Sequence, residues 1–221
     1  MGRYFGTAGC VLIIIMLICS NLSGADGDMG GGGQDGSAER PYLIEDFNDF
    51  EVFRSDPNYW EEGVCTRLQC DLDLDPNLPG REVYRHSVVA PYLTSAVYFK
   101  GKFDGNNYTI SNVNILSGDH YLGFFGNVTG ENPEIKNLSL YNLNIEYGGS
   151  NCDFIGGICG YFGNGTIENC YVTGKIQGHF TEAIGGISGR IINSMVKNCN
   201  SNISISCFGY AGGICGSSWN Y

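Results

Sequence analysis

The pattern of apolar and polar positions changes character twice along the chain. Near the N-terminus an unbroken apolar run, Cys10 to Cys19, follows Arg3 and precedes the small residues Ser23-Gly24-Ala25. A positive end, an apolar centre and a small-residue exit describe a secretory signal over residues 1–25. The run falls far short of the ~20 residues that span a bilayer, so no membrane span is expected once the leader is removed. Residues 26–40 are rich in glycine and acid and hold almost nothing apolar, which suits a flexible linker.

From Pro41 onward the apolar residues come in short periodic groups. Pro41-Tyr42-Leu43-Ile44 reads as a short strand. Glu45 to Ser55 places Phe47, Phe50 and Phe53 at helical spacing, with acids early in the segment. Arg67 to Leu74 alternates as one half-buried strand should, and Phe99 to Ile110 reads as strand, Asp-Gly turn, strand. Residues 41–120 are therefore expected to form an N-terminal cap together with the first coils of a repeating β structure.

Over residues 121–221 the pattern repeats. Ile155-Gly156-Gly157-Ile158-Cys159-Gly160 returns as Ile184-Gly185-Gly186-Ile187-Ser188-Gly189 and as Ala211-Gly212-Gly213-Ile214-Cys215-Gly216, with a distant copy at Tyr121 to Gly126. A second string, Ile135-Lys136-Asn137-Leu138, returns as Ile167-Glu168-Asn169-Cys170 and Val196-Lys197-Asn198-Cys199, and Ile110-Ser111-Asn112-Val113 fits it too. The pieces are β-branched and alternate, with no helical period. One such coil cannot bury its own apolar face, so coils must stack.

The expected fold is all-β, a right-handed parallel β-helix with one short helix in its cap. Equivalent residues would then lie ~4.8 Å apart. Phe124, Ile158, Ile187 and Ile214 form one predicted interior column, and Ile110, Ile135, Ile167 and Val196 a second. Asn112, Asn137, Asn169 and Asn198 form a predicted amide column at a bend, since asparagine tolerates the left-handed backbone. The chain stops a few residues into a further copy of the first string. A truncated product, or self-association through an open C-terminal coil, is the expectation there.

The copies Gly156 to Gly160 and Thr166 to Gly174 resemble the GLUG motif, a repeat of bacterial surface proteins. The lead-in Phe103 to Asn112 is similar to a segment that often precedes such repeats. In the third copy Ser188 and Asn200-Ser201-Asn202 depart from the pattern. The resemblance covers roughly Pro41 to the end. It implies a β-helix on the outside of a cell and brings no catalytic residues.

Composition narrows the function. The chain carries 12 basic and 23 acidic residues, a net charge of −11, with no basic cluster, which excludes a nucleic-acid partner. Eight cysteines follow the leader. Cys159 and Cys215 should be two coils apart, beyond bridging distance, and Cys170 and Cys199, near the geometric limit, are expected as buried thiols. Asp71, Asp73 and Asp75 share a strand face but project in parallel, which suits solvent better than calcium.

Lys136, Glu168 and Lys197 should form an outward ladder of alternating charge. His86, His120 and His179 have no partner at a recognisable offset, so no catalytic, cofactor or metal site is expected. Tyr141, Tyr147, Tyr161, Phe162, Tyr171, Phe180 and Tyr210 are candidates for an aromatic contact edge. The reading is an exported, extracellular or cell-surface module, structural or adhesive, whose partner is a surface polysaccharide or another surface protein. The alternatives are part of a polysaccharide-active enzyme, or a carbohydrate-binding module.

Overall fold

The computed structural model describes residue 29 and residues 33–92, 97–117, 119–149, 152–178 and 181–220. The expected leader, His179 and Phe180 lie outside the described residues. Strands fall into four sheets, and every strand pairing among the described residues is parallel. The first sheet runs Tyr42–Ile44, Cys65–Leu68, Lys102–Asp104, Glu134–Lys136, Thr166–Glu168 and Met195–Lys197. The second carries Leu72–Asp73, Thr109–Ser111, Ser139–Tyr147, Tyr171–Gly178 and Asn200–Cys207, with Asn114–Ser117 also on Ser139–Tyr147.

The third sheet is Tyr121–Leu122, Cys152–Gly156, Thr181–Gly185 and Tyr210–Gly212. The fourth is Phe125–Thr129, Cys159–Gly163, Ser188–Ile192 and Cys215–Trp219. The chain visits the four sheets in turn, one strand each, and so winds a β-solenoid of about four coils.

Interior columns arise directly from this register. Phe124, Ile158 and Ile187 are fully buried one above another, linked by backbone bonds from Phe125 N to Ile158 O (2.7 Å) and Ile158 N to Ile187 O (2.8 Å). Ile214 continues the column but is 39% exposed, because no described coil lies above it. The first-sheet column is Thr66, Phe103, Ile135, Ile167 and Val196.

Ile110 is a correction to the predicted column. It pairs with Leu72 and Leu140 in the second sheet, and Phe103 takes its expected place. Asn112 moves with it. The cause is that Asn112 (φ 59°) and Asn142 (φ 57°) form a second left-handed bend, preceded by the same apolar-x spacing as the bend at Asn137 (φ 54°).

Two other segments differ from expectation for a related reason. Arg67 to Leu74 is two strands in two sheets, not one, because alternation carries on around a corner while Leu68, Leu72 and Leu74 stay inside. The Asp-Gly turn is likewise a corner: Lys102–Asp104 lies in the first sheet and Thr109–Ser111 in the second. Asn106 (φ 50°) and Asn107 (φ 65°) make the bend between them.

The helix, Phe47–Ser55, closes the N-terminal end. Asp46 caps it, accepting from Asn48 N at 2.7 Å and Asp49 N at 3.0 Å. Phe50 stacks on Phe124 and Phe53 packs on Phe103, ring centroids 6.0 and 5.4 Å apart. The helix therefore covers two of the interior columns with aromatic surface.

Candidate functional site

The repeated glycines create an outward wedge. A Cβ built on Gly156 would lie 2.1 Å from Cys159 O and 2.6 Å from Gly189 N, and one on Gly189 would lie 2.6 Å from Ile155 N. Only glycine lets the third and fourth sheets approach so closely. Ile158 and Ile187 fill the inner side of the same corner.

On the outer side, rings from both sheets close the gap. Tyr121 and Phe154 stack at 5.8 Å and 3°, and Tyr161 meets Tyr121 at 5.9 Å. Phe154 is buried here, outside the interior core cluster. Arg190 sits between rings, its guanidinium 4.8 Å from the Phe154 centroid and 5.2 Å from that of Trp219. Its nearest carboxylate, Glu182, is 4.0 Å away.

Asn127, Tyr161, Arg190 and Ser217 occupy one column, one residue per coil. Asn127 Oδ1, Arg190 Nε and Ser217 Oγ are buried without a hydrogen-bond partner among the described residues. At the mouth, His120 Nδ1 lies 3.4 Å from Asp153 Oδ2, and Tyr92 packs on both His120 and Tyr121. Burial, helped by the Asp153 charge, pushes the Tyr121 phenol up. The strip ends in the exposed rings of Tyr210 and Trp219.

A second concavity lies in the cap, a cavity of about 460 Å³ beneath Arg54, Trp60, Tyr84 and Val88. Tyr84 is 4% exposed, and its hydroxyl has no partner among the described residues. Burial raises its pKa. Arg54 lies 5.3 Å from the Tyr84 ring centroid, held by a two-pronged pair with Glu51 (2.6 Å each) and by Glu82 at 3.1 Å. The Trp60 indole donates to Phe53 O at 2.8 Å. Arg54 and Trp60 come from the helix and the turn after it, and Tyr84 and Val88 from a later segment, and no spacing rule could have joined the two.

The residues singled out from sequence take these places. Asn137, Asn169 and Asn198 all adopt φ near +54° at one bend (54°, 53° and 54°). Asn169 Nδ2 donates to Asn137 Oδ1 at 3.2 Å, and Asn137 Nδ2 to Asp104 Oδ1 at 2.9 Å. Asn112 belongs to a parallel ladder, donating to Asp73 Oδ1 (2.8 Å) and accepting from Asn142 Nδ2 (2.7 Å). Asp71 accepts from Thr109 N of the next coil at 2.7 Å, whereas Asp75 accepts from Asn77 N at 2.9 Å in a local turn. Among the described residues no three His, Cys, Asp or Glu gather as a metal site.

The charge column is longer than expected: Arg67, Asp104, Lys136, Glu168 and Lys197 stand in register, with Lys197 Nζ 2.9 Å from Glu168. Lys136 turns instead to Glu134 in its own coil, at 3.1 Å. Cys159 faces Ser188 Oγ at 3.4 Å, with Cys215 one coil further on. Cys170 and Cys199 neighbour each other, the Cys170 amide 3.5 Å from Cys199 Sγ. The bond between the two thiols lowers the Cys199 pKa and raises that of Cys170. Tyr147 and Phe162 are core residues, whereas Tyr141, Tyr171 and Tyr210 are exposed.

Comparison with known proteins agrees with this geometry. The family profile described as "The GLUG motif" matches residues 155–177, from the wedge corner through the strands Cys159–Gly163 and Thr166–Glu168 and the Asn169 bend into Tyr171–Gly178. A protein of Evansella cellulosilytica assigned as a Gly-rich membrane protein is 37% identical over 136 residues, 59% of this chain and 14% of that protein. Halomucin of Haloquadratum walsbyi is 26% identical over 147 residues, 65% of this chain and 2% of halomucin. The chain thus spans a small part of either relative.

A solved structure from Bacteroides ovatus, assigned as an immunoglobulin A1 protease, has a TM-score of 0.52 at 19% identity, covering 88% of this chain and 67% of that one. That likeness is one of fold. No helix among the described residues is long and apolar enough to cross a membrane. This chain is a β-solenoid that carries the GLUG motif.

Proposed function

We propose that the chain is a secreted or cell-surface module with a structural and adhesive role and no catalysis of its own. The observation that carries this reading is the wedge. It is a strip of aromatic rings and one guanidinium running along the coil axis, set on a scaffold whose other faces satisfy themselves through amide and charge ladders. Because Tyr121 and Phe154 use their faces on each other, the free contact area lies at Tyr210 and Trp219. The GLUG match and a relative named as a membrane protein support an envelope setting.

The test is co-sedimentation of purified protein with insoluble polysaccharides and with isolated cell envelopes. Tyr210→Ala with Trp219→Ala should reduce the bound fraction at least fivefold. Unchanged binding sinks the assignment of the strip.

One observation favours the polysaccharide-active alternative. Asp153 and Glu182 occupy neighbouring coils at the wedge mouth beside Arg190. The same incubations decide it: under the adhesive reading no new reducing ends appear.

A further inference from the structure

We propose that the cap cavity is a binding site for a neutral saccharide, distinct from the wedge. It has the size of a small-ligand site, about 460 Å³. Its walls combine apolar surface from Pro57, Trp60 and Val88 with polar groups of both kinds. Glu82 offers an exposed carboxylate acceptor, Arg54 and Arg85 offer donors, and the Tyr84 hydroxyl can do either.

A sugar ring has this same division, with an apolar C–H face and a rim of hydroxyls that each donate and accept. A polyanion would need an excess of positive charge, and the two guanidiniums here, Arg54 and Arg85, are matched by two carboxylates, Glu82 in the lining and Glu51 behind it. Arg54 is already neutralised by Glu51 and Glu82, and His86 is turned to Asp119 at 2.5 Å. The Tyr84 hydroxyl is the most specific feature. A buried hydroxyl is ordinarily satisfied, whereas this one, beneath the cavity wall, has no partner among the described residues and leaves a donor and an acceptor for a ligand hydroxyl to satisfy. The adhesive reading of the wedge does not depend on this site, and its failure would leave that reading as it stands.

The experiment uses the full chain carrying Trp219→Phe, which leaves Trp60, in the cavity wall, as the single tryptophan. Its fluorescence is titrated with maltotriose, cellotriose, chitotriose and, for contrast, trigalacturonate. A saturable change with a neutral trisaccharide is expected. Adding Tyr84→Phe should weaken binding at least tenfold without lowering the melting temperature, because removing an unpartnered hydroxyl leaves the packing intact. No saturable change with any probe overturns the proposal. So does a response to trigalacturonate alone, or an affinity that Tyr84→Phe leaves unchanged.

Discussion

Truncating Ile187 to alanine removes the central residue of the column that Phe124, Ile158 and Ile214 share. Ile187 is fully buried, and its backbone is pinned on both sides, accepting from Ile158 N at 2.8 Å and donating to Ile214 O at 2.9 Å. A site held between two coils cannot collapse onto the missing atoms. The cost should therefore reach the upper part of the usual range, roughly 3–5 kcal/mol. Ile214→Ala deletes the same atoms from a residue already 39% exposed and leaves no closed void. It should cost only about 1 kcal/mol.

With a urea m-value of about 2 kcal/mol per molar, the two variants should differ in midpoint by at least about 1 M. Ile187→Asp, which buries an unpaired charge, should abolish the cooperative transition. Amide exchange adds a spatial test. Protection should fall in the coils on either side of Ile187, while the cap beneath Phe50 keeps its own. Equal midpoints for the two alanine variants would refute the stacked-column account, as would a wild-type melt of Ile187→Asp.

Three further perturbations separate the local devices. Gly174 has φ +136° and a built Cβ 1.9 Å from Leu143 O, so Gly174→Ala should cost roughly 3 kcal/mol or more, whereas Gly213, with nothing within 4 Å, should accept alanine within about 0.5 kcal/mol by the same melt. Asn169→Gly keeps the left-handed turn (φ 53°) and loses the amide bond, about 1 kcal/mol; Asn169→Ala should lose roughly 1–2 kcal/mol more, and a costless glycine variant would mean the ladder contributes nothing. Cys199 should react with iodoacetamide at a lower pH than an ordinary thiol, because the Cys170 thiol donates to its thiolate; Cys170→Ala should raise that midpoint, while Cys159, pushed up to about 12 by burial, stays unmodified at pH 8.

What could be read in advance was whatever recurs once per coil. The Gly-Gly-Ile string places Ile158 and Ile187 because its period and the coil are the same thing. Features that recur twice per coil are ambiguous on their own. Ile135-Lys136-Asn137-Leu138 and Leu140-Tyr141-Asn142-Leu143 both place a left-handed asparagine two residues after an apolar one, the first at a strand end and the second at a bulge within Ser139–Tyr147, so Ile110 and Asn112 match either by pattern. Only the parallel pairing of Ile110 with Leu140 decides between them. Alternation has the same limit: Leu68 and Leu72 keep their phase through a corner, which hides the change of sheet. The cap cavity could not be read at all, since Arg54, Trp60 and Tyr84 meet only after the helix has folded over the first coils.

The division between repeating and varying positions bears on where function can reside. Within this chain Gly156, Gly185 and Gly212 recur because a side chain there would collide with backbone, at 2.1, 2.0 and 1.9 Å from the nearest carbonyl oxygen. Ile158, Ile187 and Ile214 recur because the inner corner must be filled. These positions build the wedge and can tolerate little else. The positions that line it do change from coil to coil: Tyr121, Phe154, Ala183 and Tyr210 on one wall, Asn127, Tyr161, Arg190 and Ser217 on the other. A stack that needs the same backbone in every coil constrains these outward side chains less than the repeated glycines and isoleucines. The repeat therefore specifies a groove, and the residues between the repeated ones decide what the groove holds.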